Sequence, residues 1–393
     1  MGRLVTAVTL AIASQPAVAG ALTFDLTIYE AGNFACGLAD GDINGDGLLD
    51  LVTANSSSDT LSVLLNPGDG GPFEQGADVT VPAGRPRDVA LADLDEDGDN
   101  DLLVTVREGN AALLVYRNLG GGTFAAPAPY GSLVNAFSLQ IADFNLDNRL
   151  DVAIAHGFFD ANVDVFLGLG AGVFAPPVSY LISNSDITYV ADVAAGDVNG
   201  DGAVDLVGVL LNSGAVTLLL NSGNGTFTSS PAIEIAGLSP SGVALADLDG
   251  DGDQDLVVVD ESDGGALIIA RNSGLGLFGD HSALPVSGVV NPFTTPMTPA
   301  IGDVDCDGLT DIAVAGQVVL NLGDAAFAPP IKVSSQQQSA LANLAADIDR
   351  DGHIDLAFTW FGFPNSALEV FMNVPATVPG PSTCRAGTNP KDR

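Results

Sequence analysis

The chain has 393 residues, 47% of them apolar, and carries 49 acidic against 12 basic side chains for a formal charge of −37. That apolar share excludes a disordered acidic tail, and the acidic balance excludes a nucleic-acid binder, whose surface must be basic. Three cysteines without a CxxC pair leave structural zinc and dithiol redox chemistry without ligands.

The first 20 residues read as an export signal. Arg3 supplies the basic start, Leu4 to Ala13 a short apolar run, and Ala17-Val18-Ala19 a small-residue cleavage site. The run is too short to span a bilayer and no later one is longer, so no transmembrane segment is expected. The predicted location is outside the cytoplasm: extracellular, at the cell surface or in the periplasm. Leu22 to Tyr29 alternates as a strand.

A nine-residue pattern then begins: Asp, apolar, Asp or Asn, any, Asp, usually Gly, any, any, Asp. It recurs seven times, as DINGDGLLD from Asp42, DLDEDGDND from Asp93, DFNLDNRLD from Asp143, DVNGDGAVD from Asp197, DLDGDGDQD from Asp247, DVDCDGLTD from Asp303 and DIDRDGHID from Asp347. Positions 1, 3, 5 and 9 are always Asp or Asn. They are Asp42, Asn44, Asp46 and Asp50; Asp93, Asp95, Asp97 and Asp101; Asp143, Asn145, Asp147 and Asp151; Asp197, Asn199, Asp201 and Asp205; Asp247, Asp249, Asp251 and Asp255; Asp303, Asp305, Asp307 and Asp311; Asp347, Asp349, Asp351 and Asp355. Three loops hold three carboxylates at these positions and four hold four, 25 of the chain's 49.

Turn formation alone calls for Asp and Gly, but not for oxygen ligands at four fixed positions. Hard oxygens at this spacing suit a hard cation, and Ca²⁺ is the candidate. Position 7 would add a main-chain carbonyl, from Leu48, Asp99, Arg149, Ala203, Asp253, Leu309 and His353 in turn. Up to seven Ca²⁺ would bring the formal charge to about −23. The opening matches an EF-hand, but the bidentate Glu at position 12 is absent and a strand follows at once, which excludes helix–loop–helix. In the third loop Gly gives way to Asn148, which tolerates a left-handed turn, and Arg149 brings a competing charge.

Successive first Asp residues lie 51, 50, 54, 50, 56 and 44 apart. A repeat of about 50 residues signals a propeller blade or a solenoid unit. In the second unit Val89–Ala92, Leu102–Val106, Ala112–Arg117 and Ala125–Tyr130 read as four strands separated by turns. An Asn-x-Gly-x-Gly-x-Phe turn at Asn118 recurs at Asn221 and Asn272, with looser copies at Asn66, Phe166 and Asn321, and its Phe is expected to pack between units. The predicted architecture is all-β: a seven-bladed β-propeller with four-stranded antiparallel blades. The seventh unit stops after its third strand, at Asn373, so the N-terminal strand is expected to complete the last blade and close the ring. Residues 375–393 read as a flexible tail. One disulfide at most is available, and Cys306 with Cys384 would staple that tail; three unpaired thiols including Cys36 are the alternative.

The Asp loops, with Phe-Ala-x-Pro stretches at Phe124, Phe174 and Phe327, resemble the FG-GAP/VCBS repeat family, which includes the propeller of integrin α subunits. The resemblance covers about residues 22–374. It implies Ca²⁺ ligands at positions 1, 3, 5 and 9 and places each loop between the first and second strands of a blade. Here all seven units keep the loop, unlike the integrin propeller.

Nothing in the sequence resembles a catalytic motif: G-x-S-x-G, H-E-x-x-H and the P-loop are absent. The expected function is a non-enzymatic binding or adhesion module for an extracellular glycan or protein; a carbohydrate-active enzyme such as a polysaccharide lyase is the alternative. The turns opposite the Asp loops carry aromatics, Phe158 and Phe159 after His156, and Trp360, Phe361 and Phe363. As exposed rings they would be ligand contacts.

Overall fold

The computed structural model describes residues 8–11, 22–68, 71–82, 84–131, 135–156, 161–183, 189–211, 213–235, 239–289, 296–324, 326–334, 336, 340–361 and 366–374. Apart from one short 3₁₀ turn at Ser262–Gly264, the regular elements among them are strands. Runs such as Leu256-Val257-Val258-Val259 are buried on both faces, which suits β-branched and aliphatic side chains on a pleated sheet.

Seven antiparallel blades follow one another. Their inner strands are Ala35–Gly41, Pro86–Ala92, Ala136–Ala142, Tyr189–Gly196, Pro240–Ala246, Ala300–Gly302 and Ala340–Ala346. The second strands are Asp50–Asn55, Asp101–Val106, Asp151–His156, Asp205–Leu211, Asp255–Asp260, Asp311–Val314 and Asp355–Trp360. Each second strand therefore starts at the ninth position of an Asp loop. In the second blade Leu113–Tyr116 and Ala128–Tyr130 complete the sheet, close to the strands expected there. In the sixth blade Ala315 (φ 50°) and Gly316 (φ 69°) form a two-residue hairpin turn whose twist requires positive φ at both positions.

The ring closes as expected. Thr23–Glu30 pairs antiparallel with Ala367–Asn373, Phe24 opposite Asn373 and Glu30 opposite Ala367, as the outer strand of the seventh blade. Tyr29 then carries the closure across to the first blade: its Oη accepts the Phe73 N–H at 2.9 Å, and the two rings meet edge to face. Val8–Ala11, within the stretch read as an export leader, pairs with the outer edge of Thr23–Glu30.

The core is divided into slabs between blades. One slab joins Val52, Leu61 and Val63 of the first blade to Val89, Leu102 and Val104 of the second. Another joins Leu344, Ala357 and Leu368 of the seventh to Leu38 and Leu51 of the first. No blade buries its own apolar faces, so the ring is stable only as a whole. The inner strands of all seven blades line a cavity on the axis.

Deleting residues 22–30 bares the Ala367–Asn373 edge and removes one wall of the closing slab. The expected result is loss of the cooperative calorimetric transition, whereas removing residues 1–21 alone leaves the transition within a few degrees.

Candidate metal centres

All seven loops leave an inner strand and enter a second strand, so they share one end of the ring. The chain reverses there by a local hydrogen-bond scheme. In the first loop Asp42 accepts the N–H of Gly45 and of Gly47, each at 2.7 Å, Asn44 Oδ1 accepts from Asp46 at 2.9 Å, and Asp46 Oδ1 accepts from Leu48 at 2.9 Å. Short acidic and amide side chains favour such turns because they bond their own backbone. Asn148 fills the glycine position of the third loop at φ 65°, as expected.

Positions 1, 3 and 5 converge. One carboxylate oxygen from each of Asp93, Asp95 and Asp97 lies within 4.8 Å of the others; the same holds for Asp247, Asp249 and Asp251, and for Asp347, Asp349 and Asp351. In the sixth loop the converging set is Asp303, Asp305 and Asp311. Loops one, three and four carry Asn at position 3 and bring two carboxylates and an amide. Asp347 Oδ1 and Asp95 Oδ1 are buried without a hydrogen-bond donor. An all-oxygen, acidic donor set with unpartnered oxygens fits a hard divalent cation.

Position 9 has an additional role. Asp50, Asp101, Asp151, Asp205, Asp255, Asp311 and Asp355 are all buried. In six loops one carboxylate oxygen accepts the N–H of position 2 at 2.8–3.2 Å. In all seven the other accepts, at 2.6–2.9 Å, the N–H of the residue that ends the third strand. In five blades that residue is the Asn of the Asn-x-Gly turn; in the third it is Gly168 and in the seventh Asn373, which Val374 and Pro375 follow. Each Asn then donates from Nδ2 to the position-2 carbonyl of the preceding blade: Asn66 to Ile348, Asn118 to Ile43, Asn221 to Phe144, Asn272 to Val198, Asn321 to Leu248 and Asn373 to Val304, at 2.7–3.1 Å. Gly168 has no side chain to do this; the N–H of Gly172 takes the Leu94 carbonyl at 3.0 Å, as the N–H of Gly225 takes that of Phe144 beside Asn221. The turn phenylalanines pack between blades, Phe227 edge-on to Phe144 and Tyr180, and Phe174 to Tyr130. The sequence showed the Asn only as a turn residue; its recurrence with the loop was the signal for the bridge.

Burial dominates the titration of these latches and pushes them up. Asp101, Asp151, Asp205 and Asp255 rise to about 6, and Asp311 and Asp355 to about 8. The backbone donors oppose the shift and the neighbouring loop carboxylates add to it.

Several basic side chains reach into the loops. Arg149 Nη1 lies 3.5 Å from Asp147 Oδ2, the competition expected in the third loop. Arg117 pairs with Asp95, and Arg271 lies 3.6 Å from Asp249. Neither contact was foreseen, because each arginine ends a third strand far from its loop in sequence. His353, at position 7 of the seventh loop, turns its Nδ1 onto Asp351 Oδ1 at 3.0 Å. Cys306 is disulfide-bonded and Cys36 is a buried free thiol; Cys384 lies outside the described residues.

The aromatic residues expected as exposed ligand contacts are placed differently. Trp360 is 3% exposed and packs beside Phe358, because the second strand of the last blade runs on through it. Phe361 is half-buried, edge-on to Phe34 at 5.7 Å. His156, likewise a strand residue, is buried 3.0 Å from Asp164. Phe158, Phe159 and Phe363 lie outside the described residues.

Two outcomes follow from the latch. Asn221→Ala removes the side-chain donor from the Val204 carbonyl and one of two donors from the Phe144 carbonyl, which keeps the N–H of Gly225, and is expected to cost about 2 kcal/mol in denaturant unfolding, while Ser222→Ala is close to neutral. Because the latch carboxylates titrate above their ordinary value, the metal-stripped fold favours their neutral forms. Its stability is therefore greatest below about pH 4 and falls as pH rises through 6 to 8. Urea midpoints of chelator-treated protein at pH 5 and pH 8 check this; saturating Ca²⁺, which favours the ionised forms, should flatten the trend.

Five overlapping stretches, residues 42–104, 93–154, 143–208, 197–258 and 247–314, match the FG-GAP-like repeat. No curated protein matches the chain. Among solved structures it is similar to BBS1N, crystallised in complex with ARL6DN (14% identity, TM-score 0.58, covering 88% of this chain and 95% of that one). It is also similar to Sqt1 of Saccharomyces cerevisiae (13%, 0.53, 85% and 82%) and to the BP39L lectin of Burkholderia pseudomallei (14%, 0.55, 84% and 95%). At such identities the likeness is one of fold. The repeat matches span more than half of the chain and fall in step with its Asp loops, and the chain belongs to the FG-GAP-like repeat family.

Proposed function

We propose that this chain is a secreted, calcium-binding propeller that serves as a non-enzymatic binding or adhesion module for an extracellular glycan or protein. The observation that carries the reading is the repetition of one acidic loop at one end of every blade, with three carboxylates brought within 4.8 Å in four of them. Like charges held so close repel unless a cation offsets them. In each loop positions 1, 3 and 5 would hold the ion, with position 9 behind them and the position-7 carbonyl beside them. The ion supplies positive charge that ties the two ends of the turn together. Loops two and five, where Arg117 and Arg271 contact position 3, would bind more weakly than loop seven.

The first 20 residues, read as an export signal, would suit this assignment, since extracellular Ca²⁺ is abundant enough for weak sites. Val8–Ala11 pairs only with the outermost edge, so cleavage after residue 19 or 20 would leave a complete four-stranded blade. BBS1N is a propeller found in complex with a protein and BP39L is a lectin; both kinds of partner suit a ring that displays many loops.

Calorimetric titration of the metal-stripped chain with Ca²⁺ is expected to show several sites and a melting temperature that rises with Ca²⁺ by mass action. Asp349→Asn with Asp351→Asn should remove one site from the stoichiometry. No heat of binding, together with a melting temperature indifferent to chelator, would overturn the proposal. A glycan array probed with and without Ca²⁺ tests the ligand class.

A further inference from the structure

The axial cavity holds a buried cation with which no carboxylate pairs among the described residues. Arg87, at the start of the second blade's inner strand, is 3% exposed and lines the cavity. Its Nε and Nη1 are buried with no hydrogen-bond acceptor, and among the described residues no carboxylate lies within ion-pairing distance of it. The guanidinium is held between two aromatic faces, Phe34 of the first blade and Phe137 of the third, each ring centroid 5.7 Å from Cζ. Phe361 of the seventh blade in turn props Phe34. Four successive blades thus fix one arginine in place.

Two further arginines stand near it. Arg85 and Arg107 both lie close enough to act on Arg87 electrostatically, so three of the chain's 12 basic residues gather at one spot on a molecule of net charge −37. Arg85 is also paired with the exposed Glu108 at 3.3 Å. The two carboxylates nearest the cavity are otherwise engaged. Asp88 accepts the N–H groups of Val89 and Leu139, and Asp192 accepts those of Val193 and Val243 and the Thr298 hydroxyl. Gln140, on the same wall, is buried with its Oε1 lacking a donor. The cavity offers about 100 Å³, several times what one water occupies.

A buried guanidinium with unmade donors is costly unless an acceptor completes it. Planar carboxylate is the acceptor that matches guanidinium best, and a hydroxyl beside it would satisfy Gln140. We infer that the axial cavity is a binding site for a small hydroxylated carboxylate such as a sugar acid, with Arg87 as its anchor toward the end of the ring opposite the Asp loops. Phe34 and Phe137 orient the guanidinium, and Arg85 and Arg107 draw the anion to the mouth. The site needs no metal and stands independently of the calcium reading.

The test uses the full mature chain at fixed Ca²⁺ and fixed ionic strength, titrated by calorimetry with sodium glucuronate, sodium acetate and sodium chloride. The expected result is saturable glucuronate binding, weaker acetate binding and none with chloride. Arg87→Lys, which keeps the charge and loses the fork, should weaken glucuronate at least tenfold. In the unaltered protein, the Arg87 Nε–H resonance should move in step with the calorimetric saturation, a readout that does not depend on the variant folding. Equal, non-saturating responses to all three salts would overturn the inference. So would glucuronate binding that leaves the Arg87 resonance unmoved or survives Arg87→Lys unchanged.

Discussion

The ring depends on a buried carboxylate that begins the second strand of every blade. One of its oxygens holds the far side of its own Asp loop and the other holds the end of the third strand. The Asn at that point then reaches back to the previous blade. Loop closure, blade closure and blade-to-blade contact thus pass through one group, repeated seven times. Removing a carboxylate from water is unfavourable, and here the cost is met by main-chain donors at the loop end of the ring, which leaves the latch electrostatically stressed whenever it is ionised.

That stress ties the proposed metal chemistry to stability. Outside the sixth loop, where Asp303 is buried, the outer loop positions are at least partly exposed, while the ninth is fixed by burial. A cation at positions 1, 3 and 5 would sit above the latch and favour its charged form. The ion and the inter-blade bridges would then be parts of one network, and a loop with a resident arginine, such as the second or fifth, replaces some of the ion's charge with its own.

The loop end is crowded with carboxylates, and Arg87 lies toward the other end, on the wall of the axial cavity. A ring makes this separation possible because every blade presents the same connection to the same end. Function can therefore divide between the ends without any blade departing from the common plan.

The repeat period, the loop motif and the missing last strand determined the architecture from sequence alone. Each is a local pattern, and a 50-residue unit with a bare fourth strand has few ways to bury itself other than a closed ring. The pairing of Phe24 with Asn373 follows from that logic. What only the tertiary structure decided is which side chains meet across blades. Trp360 read as an exposed turn residue because its neighbours are turn formers, yet the strand continues through it and the sixth blade covers it. Arg117 and Asp95 are 22 residues apart and meet because a third strand ends beside the loop of its own blade. Arg87 looked like one more surface charge; its sandwich between Phe34 and Phe137 exists only once three blades converge on the axis. Periodicity reports the unit, and contacts between units have no periodicity to report.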